Sequence, residues 1–195
     1  MCVTAASVPV SRKEFSMVYL LLAEGFEECE ALVPLDLLRR AGVEVKTVSV
    51  SGSPTVVGAH GIAVWADLLP EGAEEAARMV ILPGGMPGSL NLDASPVTDR
   101  LLAATVEAGG HLAAICAAPL VLGRRGLLRG LRATCYPGFE GELTGAVATG
   151  ERVVTDRNVT TAIGMGAAEE FGRELCRLLC GEDAADGVLA SIHAR

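Results

Sequence analysis

His111-Leu112-Ala113-Ala114-Ile115-Cys116-Ala117-Ala118-Pro119 decides the architecture, because it reads as a buried strand that breaks sharply into a helix at a cysteine. Five mostly apolar residues suit a strand covered on both faces, the small residues after Cys116 allow a tight reversal, and Pro119 is tolerated in a first helical turn. The pattern is that of a nucleophile elbow. A sulfur at the mouth of a helix is expected to feel the positive end of the macrodipole and nearby N–H groups, which favour thiolate. A free cysteine otherwise most often fills a gap in a core.

Working outward, strand-like and helical runs alternate. Met17 to Leu22 reads as a strand, Glu28 to Ala41 as a helix closed by Gly42, and Val43 to Val50 as the next strand. Val56-Val57 and Ile62 to Trp65 flank Gly58-Ala59-His60-Gly61 as a short hairpin. Met79 to Leu82 is a buried strand ending at Pro83-Gly84-Gly85, followed by a glycine-bearing loop; Ser95 is placed to cap a helix with Pro96 at its start, running to Ala108. After the elbow helix come a short strand at Arg132 to Cys135 and a strand pair, Arg152 to Thr155 and Val159 to Ala162, joined at Asp156-Arg157-Asn158. Helices over Ala167 to Leu179 and Ala184 to Ile192 close the chain. Strands separated by crossover helices give an α/β fold, a doubly wound, mainly parallel sheet with helices on both faces and sites at the carboxyl ends of strands. Ala23-Glu24-Gly25, Pro83-Gly84-Gly85 and Cys116 are three such ends.

The 195 residues, half of them hydrophobic, are enough for one well-buried domain over residues 17–195, without a repeat or a low-complexity linker. Residues 1–16 carry Arg12 and Lys13 after the mildly apolar stretch, the wrong order for a secretory signal, and read as a disordered extension or a misassigned start. Sixteen basic against 24 acidic residues give a net charge of -8, which argues against a nucleic-acid partner. No apolar run approaches the ~20 residues that span a bilayer. Six scattered cysteines without a CxxC pair fit a reducing cytoplasm. Cys176 and Cys180 share a helical face but lack neighbouring metal ligands, so core packing is expected and no metal or cofactor is inferred.

Around the sulfur, the backbone N–H groups of Gly85 and Ala117 are candidate oxyanion donors, and Gly84 and Gly85 allow close approach of a ligand. Glu24, Glu27, Glu28 and Glu30 offer carboxyls; whichever faces Cys116 shares a proton with it, since two negative charges that close cannot both persist. His111, five residues before Cys116 on the same strand, lies roughly 16 Å away at ~3.3 Å per residue and reads as structural. His193 falls in a frayed tail, leaving His60 on the hairpin as the histidine able to reach a site. A cysteine–histidine hydrolase is correspondingly weak.

Leu22-Ala23-Glu24-Gly25-Phe26-Glu27-Glu28-Cys29-Glu30, Asp36-Leu37-Leu38-Arg39-Arg40-Ala41-Gly42, Leu82-Pro83-Gly84-Gly85 and Ala113-Ala114-Ile115-Cys116-Ala117-Ala118-Pro119, in that order, resemble the ThiJ/PfpI superfamily, in its DJ-one branch and bacterial-type members. The likeness covers about Met17 to Leu189. It implies a flavodoxin-like homodimer in which Cys116 is the oxidisable nucleophile, Glu30 the protonated glutamate hydrogen-bonded to it, and Gly85 and Ala117 the backbone donors. The implied activities are glutathione-independent glyoxalase conversion of small aldehydes, deglycation, or redox sensing through a cysteine sulfinate, with a redox-regulated chaperone as a nonenzymatic alternative. A PfpI-type peptidase fits less well, because those sequences place histidine directly after the nucleophile and this chain has Ala117. Departures from the pattern mark further pocket residues: Tyr136 stands where a relative carries histidine before proline, His60 where relatives carry an arginine that reaches into the partner's pocket, and Gly164-Met165-Gly166 where glycine-proline-glycine is frequent.

Overall fold

In the computed structural model, residues 17–73 and 76–194 are described; the expectation for residues 1–16 lies outside them. The chain order is β1 (Val18–Leu22), α1 (Glu28–Arg40), β2 (Val45–Ser49), β3 (Thr55–Val57), β4 (Ala63–Trp65), β5 (Met79–Leu82), α2 (Gly88–Asp93), α3 (Pro96–Glu107), β6 (His111–Ile115), α4 (Pro119–Arg124), β7 (Arg132–Ala133), β8 (Val147–Ala148), β9 (Val153–Asp156), β10 (Val159–Ala162), α5 (Ala168–Cys180) and α6 (Glu182–Ser191). Six strands form one sheet in the order β2-β1-β5-β6-β10-β9. All neighbours are parallel except β9, which runs antiparallel to β10 at one edge. This is a flavodoxin-like α/β arrangement.

The central strands are apolar on both sides because both sides are covered. Tyr19, Leu21, Val80, Leu82, Leu112 and Ala114 point into a core shared with Leu92, Leu101, Leu102 and the Leu120-Val121-Leu122 run, the layer of α2, α3 and α4. Val18, Leu20, Leu22, Met79, Ile81, Ala113 and Ile115 point the other way, against Leu35, Leu37, Leu38, Phe171 and Leu175 on α1 and α5, with Ala185 and Val188 of α6 beyond. The period of two along each strand thus feeds two separate cores. Among the described residues no helix is long and apolar enough to cross a membrane.

Three local expectations change. The segment after Gly85, read as a loop, contains α2, a single six-residue helix too short to show a 3.6-residue period. Ser95 is the residue before α3 but makes no side-chain cap; its Oγ is buried without a partner. A second two-residue strand, β8, pairs in parallel with β7. Cys176 is buried and Cys180 exposed, both as free thiols, so their shared helical face holds no disulfide.

One polar clip ties the first crossover together. Asp67 Oδ2 accepts hydrogen bonds from Thr47 N–H and Thr47 Oγ1, both at 2.8 Å, and from Arg39 Nη2 at 2.6 Å. It joins the end of α1, the middle of β2 and the segment leaving β4.

Candidate active site

β6 delivers Cys116 at its carboxyl end, and the chain turns there with φ +63°. A left-handed backbone at a non-glycine residue costs about 1–2 kcal/mol and persists only where its surroundings impose it. They do: Cys116 N–H donates to the Ala162 carbonyl at 2.9 Å, the Tyr136 N–H donates to the Cys116 carbonyl at 2.8 Å, and the Ala118 N–H closes the turn on Ile115 at 3.0 Å. The elbow is therefore clamped by β10 on one side and by the segment after β7 on the other.

The carboxyl arrives from α1. Glu27, at the residue before the helix, turns its Oε2 onto the Glu30 N–H at 2.6 Å, which fixes the first turn. The buried residues of α1 are Glu28, Glu30, Ala31, Pro34, Leu35, Leu37 and Leu38, so Glu30 is buried to 1% exposure by the same helical period that buries the leucines. Its side chain is hydrogen-bonded to the Cys116 thiol and receives N–H groups from Gly84, at 3.1 Å, and from Met165.

Burial pushes the Glu30 carboxyl up to about 7, assisted by the negative field of Glu27 and opposed by its hydrogen bonds to Cys116, Gly84 and Met165. Burial also pushes the Cys116 thiol up, to about 12, and the charge and hydrogen bond of Glu30 add to it, while the N–H groups of Gly85 and Ala117 work the other way. This corrects the expectation that the helix mouth and its nearby N–H groups would favour the thiolate. α4 is only six residues long, and its contribution does not overcome burial and a neighbouring carboxylate. The two groups titrate as a coupled pair: near neutrality the carboxyl gives up its proton, and the proton of the thiol is held well above neutrality. A thiolate there requires the thiol proton to pass to Glu30 across their hydrogen bond.

Gly85 and Ala117 both present backbone N–H groups to the sulfur. Gly84 does not join them as a substrate donor, because its N–H is committed to Glu30 Oε2; it positions the carboxyl instead. A methyl group on Gly84 would overlap Glu30 Oε2 and come 2.6 Å from the Cys116 Cβ and 2.9 Å from the Ile115 carbonyl. At Gly85 φ is +91° and an added methyl would overlap Glu27 N. Gly164 forms the opposite wall: a methyl there would lie 3.9 Å from the sulfur, 3.9 Å from Glu30 Oε1 and 3.4 Å from the Tyr136 ring. Tyr136 is half exposed at the mouth, with its ring edge-on to Phe139 at 6.5 Å.

Cys116, Glu30, Gly84, Gly85, Ala117, Gly164 and Tyr136 therefore converge within the chain, and on the hairpin, at the position expected to face a partner's pocket, stands His60. Its ring Nδ1 lies 2.7 Å from Glu28 Oε2 and its side chain is 68% exposed, on the hairpin turn rather than at the sulfur. His111 is held by Thr160 Oγ1 at 2.9 Å and kept neutral by burial, which drops it to about 4. The reading of the residues did not find Glu27 as a cap or Met165 as a donor; the spacing of Glu27 three residues before Glu30 was a usable signal for the first.

Residues 16–178 match the model of the DJ-1/PfpI family. Protein dj-1beta of Drosophila melanogaster is 34% identical over 167 residues, covering 84% of this chain and 89% of that protein. The glutathione-independent glyoxalase DJR-1.2 of Caenorhabditis elegans is 33% identical over 177 residues, covering 89% and 94%. Among solved structures, a cysteine-to-alanine variant of a DJ-1 superfamily protein from Salmonella typhimurium superposes with a TM-score of 0.88 at 34% identity, covering 93% of this chain and 100% of that one. Oxidised Toxoplasma gondii DJ-1 does so with 0.88 at 33%, covering 92% and 98%.

Proposed function

The chain belongs to the DJ-1/PfpI family, and from that premise we propose that it converts small reactive aldehydes without glutathione, with Cys116 as nucleophile and Glu30 as proton relay. The observation that carries the reading is a sulfur on a left-handed elbow, hydrogen-bonded to a buried carboxyl that titrates at about 7. With an α-oxoaldehyde such as methylglyoxal, the thiolate adds to the aldehyde carbon while the resulting oxyanion is held by the Gly85 and Ala117 N–H groups and takes the Glu30 proton. The Glu30 carboxylate then removes the hydrogen of that carbon as a proton and delivers it to the adjacent carbon, while the hydroxyl proton of the first carbon passes to the ketone oxygen, leaving a 2-hydroxyacyl thioester on Cys116. Water releases the acid, lactate, and restores the thiol. Atoms balance as aldehyde plus water to hydroxyacid.

The named activity of the Caenorhabditis elegans relative supports this reading. A deglycase-type reaction would use the same nucleophile. A second reading, a redox sensor, draws on the same pair: a protonated Glu30 beside the sulfur is placed to donate a hydrogen bond to a sulfinate oxygen. Free thiols at all five described cysteines support a reducing, cytoplasmic setting. A homodimer is supported by the apolar hairpin residues Ile62 and Trp65, which stand exposed to solvent in the single chain.

Incubation of the protein with methylglyoxal, with lactate measured, tests the proposal. Lactate is expected from the wild type, absent with Cys116→Ala, and reduced at least ~100-fold in kcat with Glu30→Gln. No lactate from the wild type, together with ready sulfinate formation under mild peroxide by intact mass, would overturn it in favour of the sensor.

A further inference from the structure

The surroundings of Cys116 are polar on one side only. Gly85 and Ala117 present N–H groups to the sulfur and the Glu30 carboxyl is hydrogen-bonded to it, whereas the facing wall is Gly164 with the Tyr136 ring beside it. The place of the Cβ that Gly164 lacks is 3.4 Å from the ring, 3.9 Å from the sulfur and 3.9 Å from Glu30 Oε1, so ring, nucleophile and proton relay surround one small space. We propose that Tyr136 is the specificity-determining residue of this site and that it selects α-oxoaldehydes whose ketone carries a flat apolar ring, arylglyoxals over methylglyoxal. This selection rests on the aldehyde reading above and gives it a substrate class.

The direction of the substituent follows from the tetrahedral carbon. One of its bonds goes to sulfur, one to the oxygen held by the Gly85 and Ala117 N–H groups, and one to the hydrogen that Glu30 removes. The fourth, to the ketone carbon and its substituent, is left the side without a polar group, along Gly164 toward Tyr136. A glycine there keeps that path open to a plate-shaped group. Tyr136 is held in place: its N–H donates to the Cys116 carbonyl at 2.8 Å, and Phe139 meets its ring edge-on, with centroids 6.5 Å apart and planes at 77°. Half of the residue stays exposed, which leaves ring surface for an offset or edge-on contact with a second aromatic group. Met86 and Met165, directly after Gly85 and Gly164, also stand exposed, and apolar residues gathered around a cleft mark a binding groove. A methyl substituent reaches little of this surface, while a phenyl ring passes Gly164 and meets Tyr136. Phenylglyoxal and water give mandelate by the same steps that give lactate, so the atoms balance as before.

The test measures kcat/KM of the full chain for phenylglyoxal and methylglyoxal, with mandelate and lactate as products. In parallel, alkylation by iodoacetanilide and by iodoacetamide is compared at the Cys116 peptide by mass, each rate normalised to that of glutathione. The wild type is expected to favour phenylglyoxal at least about tenfold and iodoacetanilide about fivefold. Tyr136→Ala is expected to bring both ratios to within about twofold of unity and Tyr136→Phe to keep them; a general loss of activity cancels in the ratios. Should Tyr136→Ala not fold, Tyr136→His, which puts a polar ring there, is expected to lower both ratios and decides. Turnover of both aldehydes at equal kcat/KM, or a preference that survives in Tyr136→Ala, would overturn the selection and leave the aldehyde reading standing. Turnover of neither, with an iodoacetanilide preference that Tyr136→Ala abolishes, would overturn the aldehyde reading and keep Tyr136 as the residue that selects flat apolar electrophiles; without that preference both fall.

Discussion

At the scale of single residues, four glutamates within seven positions have four different fates. Glu24 accepts the Val57 N–H at 3.1 Å, Glu27 caps α1, Glu28 holds His60, and Glu30 alone faces the sulfur. Spacing relative to Cys116 could not separate them, since the choice is made by how α1 packs on the sheet; the buried face of the helix holds Glu28 as well as Glu30, and the resemblance alone picked Glu30. The shared proton gives a pH prediction. In the wild type, alkylation of Cys116 by iodoacetamide should rise through about pH 7, where the pair loses its first proton, and level off above it. Glu30→Gln removes that carboxyl and moves the rise to higher pH, while lowering the sulfur's final ionisation below about 12 by removing the opposing charge. An alkylation profile that stays put in Glu30→Gln would refute the shared proton. Gly84→Ala tests the neighbouring contact: with no room for a methyl beside Glu30 and the Cys116 Cβ, it should lose about 1–3 kcal/mol in urea unfolding.

Elements whose chemistry is local were legible in the chain. β1, β5 and β6 are unbroken apolar runs and fall where expected, as does α1, ended near Gly42 at φ +78°. α2 was hidden because Gly88 and Ser89 open it and it spans less than two turns, and β8 because two residues carry no period. The Asp67 clip was hidden for another reason: its partners, Arg39 and Thr47, belong to two other elements. Burial there works against the charge, but the Thr47 and Arg39 hydrogen bonds outweigh it and hold Asp67 below its ordinary 3.8. A depressed carboxyl contributes stability above its unfolded value and loses it as pH falls through the folded one. Asp67→Asn should therefore cost about 2 kcal/mol at neutral pH and flatten the decline of the melting temperature below about pH 3.8; parallel declines in wild type and variant would rule the clip out.

For the molecule as a whole, the doubly wound sheet was readable because each strand alternates its side chains between two cores. What no periodicity reveals is the surface left apolar after folding. Trp65, 72% exposed in the single chain, is the natural reporter for a second copy: its emission should shift to longer wavelength as the protein is diluted to monomer, and Trp65→Ser should weaken association in sedimentation velocity. Emission independent of concentration, with a monomer throughout, would remove the homodimer.

Cys116, at the carboxyl end of β6, packs against both cores at once. Damage at this atom is consequently not a local injury. Exhaustive oxidation to the sulfonic acid plants a permanent anion there, and a spent molecule would loosen on both sides together, marking itself for proteolysis while its intact siblings stay closed.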